Sequence, residues 1–68
     1  MKLGKYDHYK GGQYEVICVA KHSESLEELV VCKALYGEGE IWIRSLKMFI
    51  EEIVINGKKI SRFKYIGE

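Results

Sequence analysis

Asn56-Gly57 constrains this chain more than any other pair of residues in it. A two-residue type I′ turn needs positive φ at both central positions, and Asn-Gly is the pair that takes it most readily. "FIEEIVI" runs into the pair and "KISRFKYI" runs out of it, both rich in β-branched and aromatic residues. The last third of the chain therefore reads as a hairpin. Phe49, Ile50, Ile53 and Val54 also fit a helical spacing of i, i+1, i+4, i+5. The β-branched content and the turn that follows favour a strand.

Three more strands precede it. "QYEVICVAK" carries Tyr14, Val16, Cys18 and Ala20 on one face at period two, with Ile17 and Val19 on the other. "LVVCKALY" places Val30, Cys32, Ala34 and Tyr36 on a shared face, and "IWIR" sets Ile41 and Ile43 opposite Trp42 and Arg44. Gly11-Gly12 gives a flexible approach to the first strand, and "GEGE" turns the chain between the second and third. "SLKMF" has room for one helical turn. No segment sustains a helical apolar period, and there is no internal repeat. The expectation is an all-β single domain over residues 1–68: a small five-stranded, strongly bent sheet or partly open SH3-like barrel with one short helical turn.

Size limits what such a fold can hold. A chain of 68 residues buries only roughly 60% of the surface its unfolded form exposes. Domains this small often lean on disulfides, metals or oligomerisation, and a homo-dimer is among the expectations here. Hydrophobic residues make up 47% of the chain, which argues against disorder. The first twelve residues contain no apolar run of signal-peptide length, and "VICVA" is far short of a membrane span. Two cysteines are too few for the framework of a secreted miniprotein. A cytoplasmic protein with no membrane association is the reading.

Charge is distributed unevenly along the chain. Residues 1–14 carry three lysines against Asp7, for +2, and residues 15–40 carry six glutamates against two lysines, for −4. Residues 41–68 carry six basic residues against three glutamates, for +3. Packing the two ends together gives a basic pole, which suits nucleic acid or an acidic peptide as partner.

Few residues look like chemistry. "AKHSESLEE" gathers His22, two serines and three carboxylates, but neighbours in extended chain point opposite ways and form no triad among themselves. Ser25-Leu26-Glu27-Glu28 has capping-box spacing, so a capped polar turn is the simpler account. His8, Cys18, His22 and Cys32 lack the close pairing of zinc ligands, and both cysteines fall on strand faces with apolar neighbours. They read as buried, reduced thiols, with no metal and no cofactor. "HYKGG" lacks the spacing of a phosphate loop; it reads either as an entry loop whose tyrosines cover the barrel end or as a small-anion or nucleotide contact through His8 and Lys10.

Trp42 and Arg44 share a strand face. If the isoleucines fill the core, the pair faces outward and can stack on a base or clasp a carboxylate. If Trp42 is the core side, the isoleucines are exposed. Lys58, Lys59, Arg62 and Lys64 read as a solvated face. The candidate ligand-binding residues are thus His8, Lys10, His22, Glu24, Trp42 and Arg44. No nucleophile motif, metal set or cofactor loop supports an enzyme. A non-enzymatic binding module for an anion is the leading expectation. The alternatives are a small enzyme with His8 or His22 as base, or a structural accessory domain.

Several phrases together also resemble a known family. "YDHYKGGQYEV", "VAKHSESLEELVV", "ALYG", "IWIRSLKMFIEE" and "SRFKYI" run in the order found in the short bacterial family of domain of unknown function 1653. The resemblance spans about Gly4 to Ile66. Ser25 stands where that family tends to have threonine, Ser45 where it tends to have proline, and Cys32 where tyrosine is usual. The last departure implies that Cys32 belongs to no family metal or redox site. About function the resemblance implies almost nothing.

Overall fold

The computed structural model describes residues 1–68. Its elements are β1 (Gly4–His8), β2 (Gln13–Lys21), β3 (Glu28–Ala34), β4 (Ile41–Ser45), α1 (Leu46–Phe49), β5 (Glu52–Ile55), β6 (Lys58–Ser61) and β7 (Phe63–Gly67). Five strands form one antiparallel sheet in the order β4-β3-β2-β1-β7. The remaining two, β5 and β6, form a separate hairpin. The fold is all-β with one short helical turn, and the sheet does not close into a barrel.

The Asn-Gly hairpin forms where the sequence places it. Asn56 has φ 51° and Gly57 φ 77°, and Ile55 stands opposite Lys58 across the turn. The return segment is not one strand, however. A bend at Arg62 divides it, so that β6 stays with β5 while β7 crosses to pair with β1. Strand β1 is the second addition to the expected five. Its "GKYDH" carries one large apolar residue, and it is held between β2 and β7 rather than by its own pattern.

One face of the sheet holds the core. Tyr6 lies opposite Tyr14, Tyr14 opposite Ala34, and Val16 opposite Cys32, so these side chains share a side. With Val30, Phe49 and Phe63 they make up the buried apolar cluster. Phe49 comes from α1, which lies over this face. Its ring meets the Tyr6 ring edge-on at 5.1 Å.

The structure corrects the placement of Cys18. Period-two alternation puts it beside Val16 in the core, yet it is exposed. The cause is a bulge: Val16 pairs with Cys32 but Cys18 pairs with Val31, leaving Ile17 as an extra residue. Parity reverses beyond that point, so Cys18 and Ala20 face outward. Val19 returns to the core side, but β1 has ended at the level of Val16 and Val19 stays 37% exposed. Cys32 is fully buried, as expected, and both thiols are free.

The sheet is strongly curled. Strands β4 and β7 are its two edges, and in a flat sheet four spacings would set them about 19 Å apart. The Arg44 guanidinium carbon on β4 nevertheless lies 5.2 Å from the ring centre of Phe63 on β7. Long side chains span part of that gap, and curvature supplies the rest. Curling creates the site described next.

Candidate anion site

Arg44 is the centre of the arrangement. It stands opposite Val30 in the β3–β4 register, which turns its side chain onto the core face. The guanidinium carbon lies 5.2 Å from the ring centres of both Tyr14 and Phe63. Such contacts favour a cation electrostatically, more so where water is excluded. Arg44 makes no ion pair, since the sole salt bridge of the chain joins Arg62 to Glu51 at 3.7 Å. Its Nε is buried without a hydrogen-bond partner.

Arg62 faces it. The bend that ends β6 half-buries this side chain and leaves its Nε likewise buried and unpartnered. Backbone bonds fix the bend: the Arg62 carbonyl accepts from the Tyr9 N–H at 3.0 Å, and its N–H donates to the Glu51 carbonyl at 3.2 Å. Between the two arginines lies a pocket of about 270 Å³, with Met48, Phe49 and Phe63 among its walls. No acidic side chain lines it. Other hollows beside Leu3 and Leu26 are more open and bring no comparable charge together.

His8 lies next to the pocket, against the Phe63 that lines it. It ends β1, and its ring sits edge-on to Phe63 at 4.8 Å. The Lys10 N–H donates to its Nδ1 at 3.2 Å, which leaves Nε2 as the free nitrogen. Burial first, then the charges of Arg44, Arg62 and Lys10, hold its pKa below the ordinary histidine value. The imidazole is therefore neutral at physiological pH, and its perturbers identify a convergence of basic groups.

An aromatic frame backs these residues. The Tyr14 and Tyr36 hydroxyls are hydrogen-bonded to each other, and their rings meet edge-on at 5.5 Å. That bond, with burial second, raises the pKa of Tyr36. Gly12 makes room for the Tyr36 ring: it has φ +88°, and a Cβ there would come within 2.8 Å of Tyr36 Cε1. Cys32 lies beneath. Burial pushes its thiol pKa up, and a hydrogen bond from Arg44, then the Arg44 charge, offset part of the rise.

Of the residues singled out from sequence, His8 and Arg44 both lie against Phe63; Lys10 is next to His8 with its ammonium over the Tyr9 ring at 5.7 Å, and the rest do not join them. Trp42 shares the Arg44 face, opposite Cys32, but is 47% exposed. His22 and Glu24 lie beyond the far end of β2, nine residues from the Gln13 end and so roughly 30 Å along extended chain. His22 serves its own turn, its Nδ1 accepting the N–H groups of Glu24 at 3.1 Å and Ser25 at 3.3 Å. The segment is a polar turn, but the capping box does not form. No helix follows Ser25, Glu28 opens β3, and the Ser25 hydroxyl accepts instead from the Glu27 N–H at 3.2 Å.

Arg62 was hidden in an apparently solvated basic run. The break in alternation at Ser61-Arg62-Phe63 is the one local sign that its side chain leaves the hairpin face. Nothing local marks Tyr14 or Phe63 as neighbours of Arg44. No three His, Cys, Asp or Glu side chains cluster as metal ligands would. No helix is long and apolar enough to cross a membrane.

Comparison with known proteins places the fold. The chain matches the model of the family described as protein of unknown function (DUF1653) over residues 4–65. It is similar to the crystal structure of a DUF1653 protein from Bordetella bronchiseptica, at 30% identity and a TM-score of 0.89. That similarity covers 98% of this chain and 88% of the other. No curated protein matches it. Motif order, family model and fold agree over nearly the whole length, and the chain belongs to the DUF1653 family.

Proposed function

We propose that this domain is a non-enzymatic module that holds an oxyanion of a larger partner, nucleic acid or acidic peptide, between Arg44 and Arg62. One observation carries the reading: Arg44 is half-buried against two aromatic rings with no carboxylate to neutralise it. Placing a charge in such surroundings costs free energy unless something compensates it, and an incoming anion does so. A guanidinium presents a planar fork that grips phosphate or carboxylate at two points. Lys10 and the free Nε2 of His8 add donors or charge nearby. The only side-chain hydrogen bond of His8 is to a backbone amide, which leaves it without a nucleophile to activate.

Equilibrium titration tests this with two probes, a single-stranded oligonucleotide and a polyglutamate peptide. Arg44→Lys keeps the charge but loses the fork, and is expected to weaken association about ten-fold with the fold retained. Affinity should fall as salt rises. The oligonucleotide and the peptide arms separate phosphate from carboxylate recognition. If neither probe binds, or if affinity is indifferent to both salt and Arg44→Lys, the reading is wrong.

A further inference from the structure

We infer that two copies of this chain join through β4, each extending the other's sheet in antiparallel pairing. The inference goes beyond the anion reading and stands whether or not Arg44 binds anything. It begins with an open edge. Strand β4 ends the sheet order, so one side of its backbone has no strand beside it. The Ala34 N–H donates to the Glu40 carbonyl at 2.9 Å, which turns the backbone of Glu40 toward β3. Backbone groups of successive residues point to alternate sides in an antiparallel ladder, so Trp42 and Arg44 also face β3. Ile41, Ile43 and Ser45 face away. Their outward groups are the template on which another strand pairs.

The side chains on this edge are apolar. Ile41 is 62%, Trp42 47% and Ile43 66% exposed, three consecutive large residues in water. Exposed sheet edges are ordinarily guarded by lysine, proline, a bulge or an inward-pointing charge. The other free edges here show such guards. The β1–β7 pairing is irregular between Lys5 and Tyr6, with Lys64 on the outer strand, and the unpaired part of β2 has the Ile17 bulge and Lys21. Of these guards strand β4 has only an inward-pointing charge, Arg44, near its end and held against the rings of Tyr14 and Phe63; it has no lysine, proline or bulge.

Charge selects the direction and the occupant. Glu38 and Glu40 precede β4, while Arg44 and Lys47 stand at its other end. Antiparallel pairing of two copies sets the acidic end of each beside the basic end of the other; parallel pairing would set like against like. A register centred on Ile43 uses the whole strand. Ile43 then bonds to Ile43 of the second copy, and the Ser45 N–H reaches the Ile41 carbonyl. Centring on Trp42 would instead strand Ser45 opposite Gly39, outside the strand. In the Ile43 register Trp42 stands across from Arg44 of the second copy, a non-hydrogen-bonded pair with Cα atoms about 4.5 Å apart. Each copy thus lends an indole to the flank of the other's arginine.

Sedimentation equilibrium on the full chain tests the dimer. The wild type is expected to sediment as two copies and Ile43→Lys as one, with the far-ultraviolet spectrum of the variant unchanged. Ile66→Lys, on the opposite edge of the sheet, should remain a dimer. Amide exchange supplies a readout free of mutation: the N–H groups of Ile41, Ile43 and Ser45 should exchange more slowly as protein concentration rises. A wild type that is monomeric at the highest attainable concentration overturns the proposal. So does a folded Ile43→Lys that stays dimeric, loss of the dimer in a folded Ile66→Lys, or exchange at those three amides that ignores concentration.

Discussion

Phe49 lies flat on Phe63, with ring centres 4.1 Å apart and planes within 6° of parallel. This contact fastens α1, a single turn of four residues, to the last strand of the sheet. So short a helix has no stability of its own, and its packed face holds it. Phe49→Ala is expected to cost about 3–5 kcal/mol. That is a large share of the stability of a domain this small, about 3–10 kcal/mol at roughly 0.05–0.15 kcal/mol per residue. Urea unfolding should find the midpoint of the variant sharply lowered. A loss under about 1 kcal/mol would show that the turn is not fastened by this ring.

The two cysteines should behave oppositely. Cys18, turned outward by the bulge, is expected to react with a maleimide in the native protein, and Cys32 only after unfolding. Cys18→Ser should change stability by less than about 0.5 kcal/mol. Cys32→Ser introduces a hydroxyl into the fully buried core and should cost about 1–3 kcal/mol unless it finds a partner. Native-state labelling of both thiols would contradict the register.

His8 makes stability depend on pH. Its folded pKa lies below the ordinary 6.5, so as pH falls the unfolded chain takes up the proton first. The contribution is complete above the ordinary value and is lost as pH drops from there through the folded value. His8→Gln should flatten this part of the stability profile, measured as midpoint denaturant concentration against pH. An anion between the arginines offsets their repulsion of a protonated His8, so affinity for the oligonucleotide or peptide should rise over the same window. A wild-type profile as flat as that of the variant would deny the coupling.

The β2–β3 turn is expected to matter for stability alone. His22→Ala removes two exposed acceptor contacts and should cost about 0.5–1.5 kcal/mol. Ser25→Ala removes one and should cost about 0.5 kcal/mol. Neither should alter anion affinity, because the turn lies at the far end of β2 from His8. A drop in affinity at unchanged stability, in either variant, would move the binding surface to this turn.

What was legible in the sequence was local. Asn56-Gly57 marks its hairpin because positive φ is a property of those two residues, and "SLKMF" shows its turn of helix for a similar reason. Strand β1 was illegible because "GKYDH" has no strand pattern, and β2 and β7 impose one on it. Trp42 left its face undecided: it lies on the core side, but no other core residue covers it fully, and Ile41 and Ile43 are exposed behind it. His8, Lys10 and Arg44 could be named as residue types that hold anions. The meeting of His8 and Arg44 with Arg62, Tyr14 and Phe63 depends on the curl of five strands, which no short stretch encodes.

Ile17 gives the β2–β3 ribbon the mechanics of a cantilever. Up to Val16, β2 is clamped by β1 on one side and β3 on the other; past Ile17 it is held by β3 alone. Added length between His22 and Glu27 would extend the free tip and leave the clamped root, with Tyr14 and its neighbours, where they are. Removing Ile17 would stiffen the joint without turning the ribbon over: Cys18 would follow Val16 directly and still stand opposite Val31, so the bulge would vanish while Cys18 to Lys21 kept their present faces.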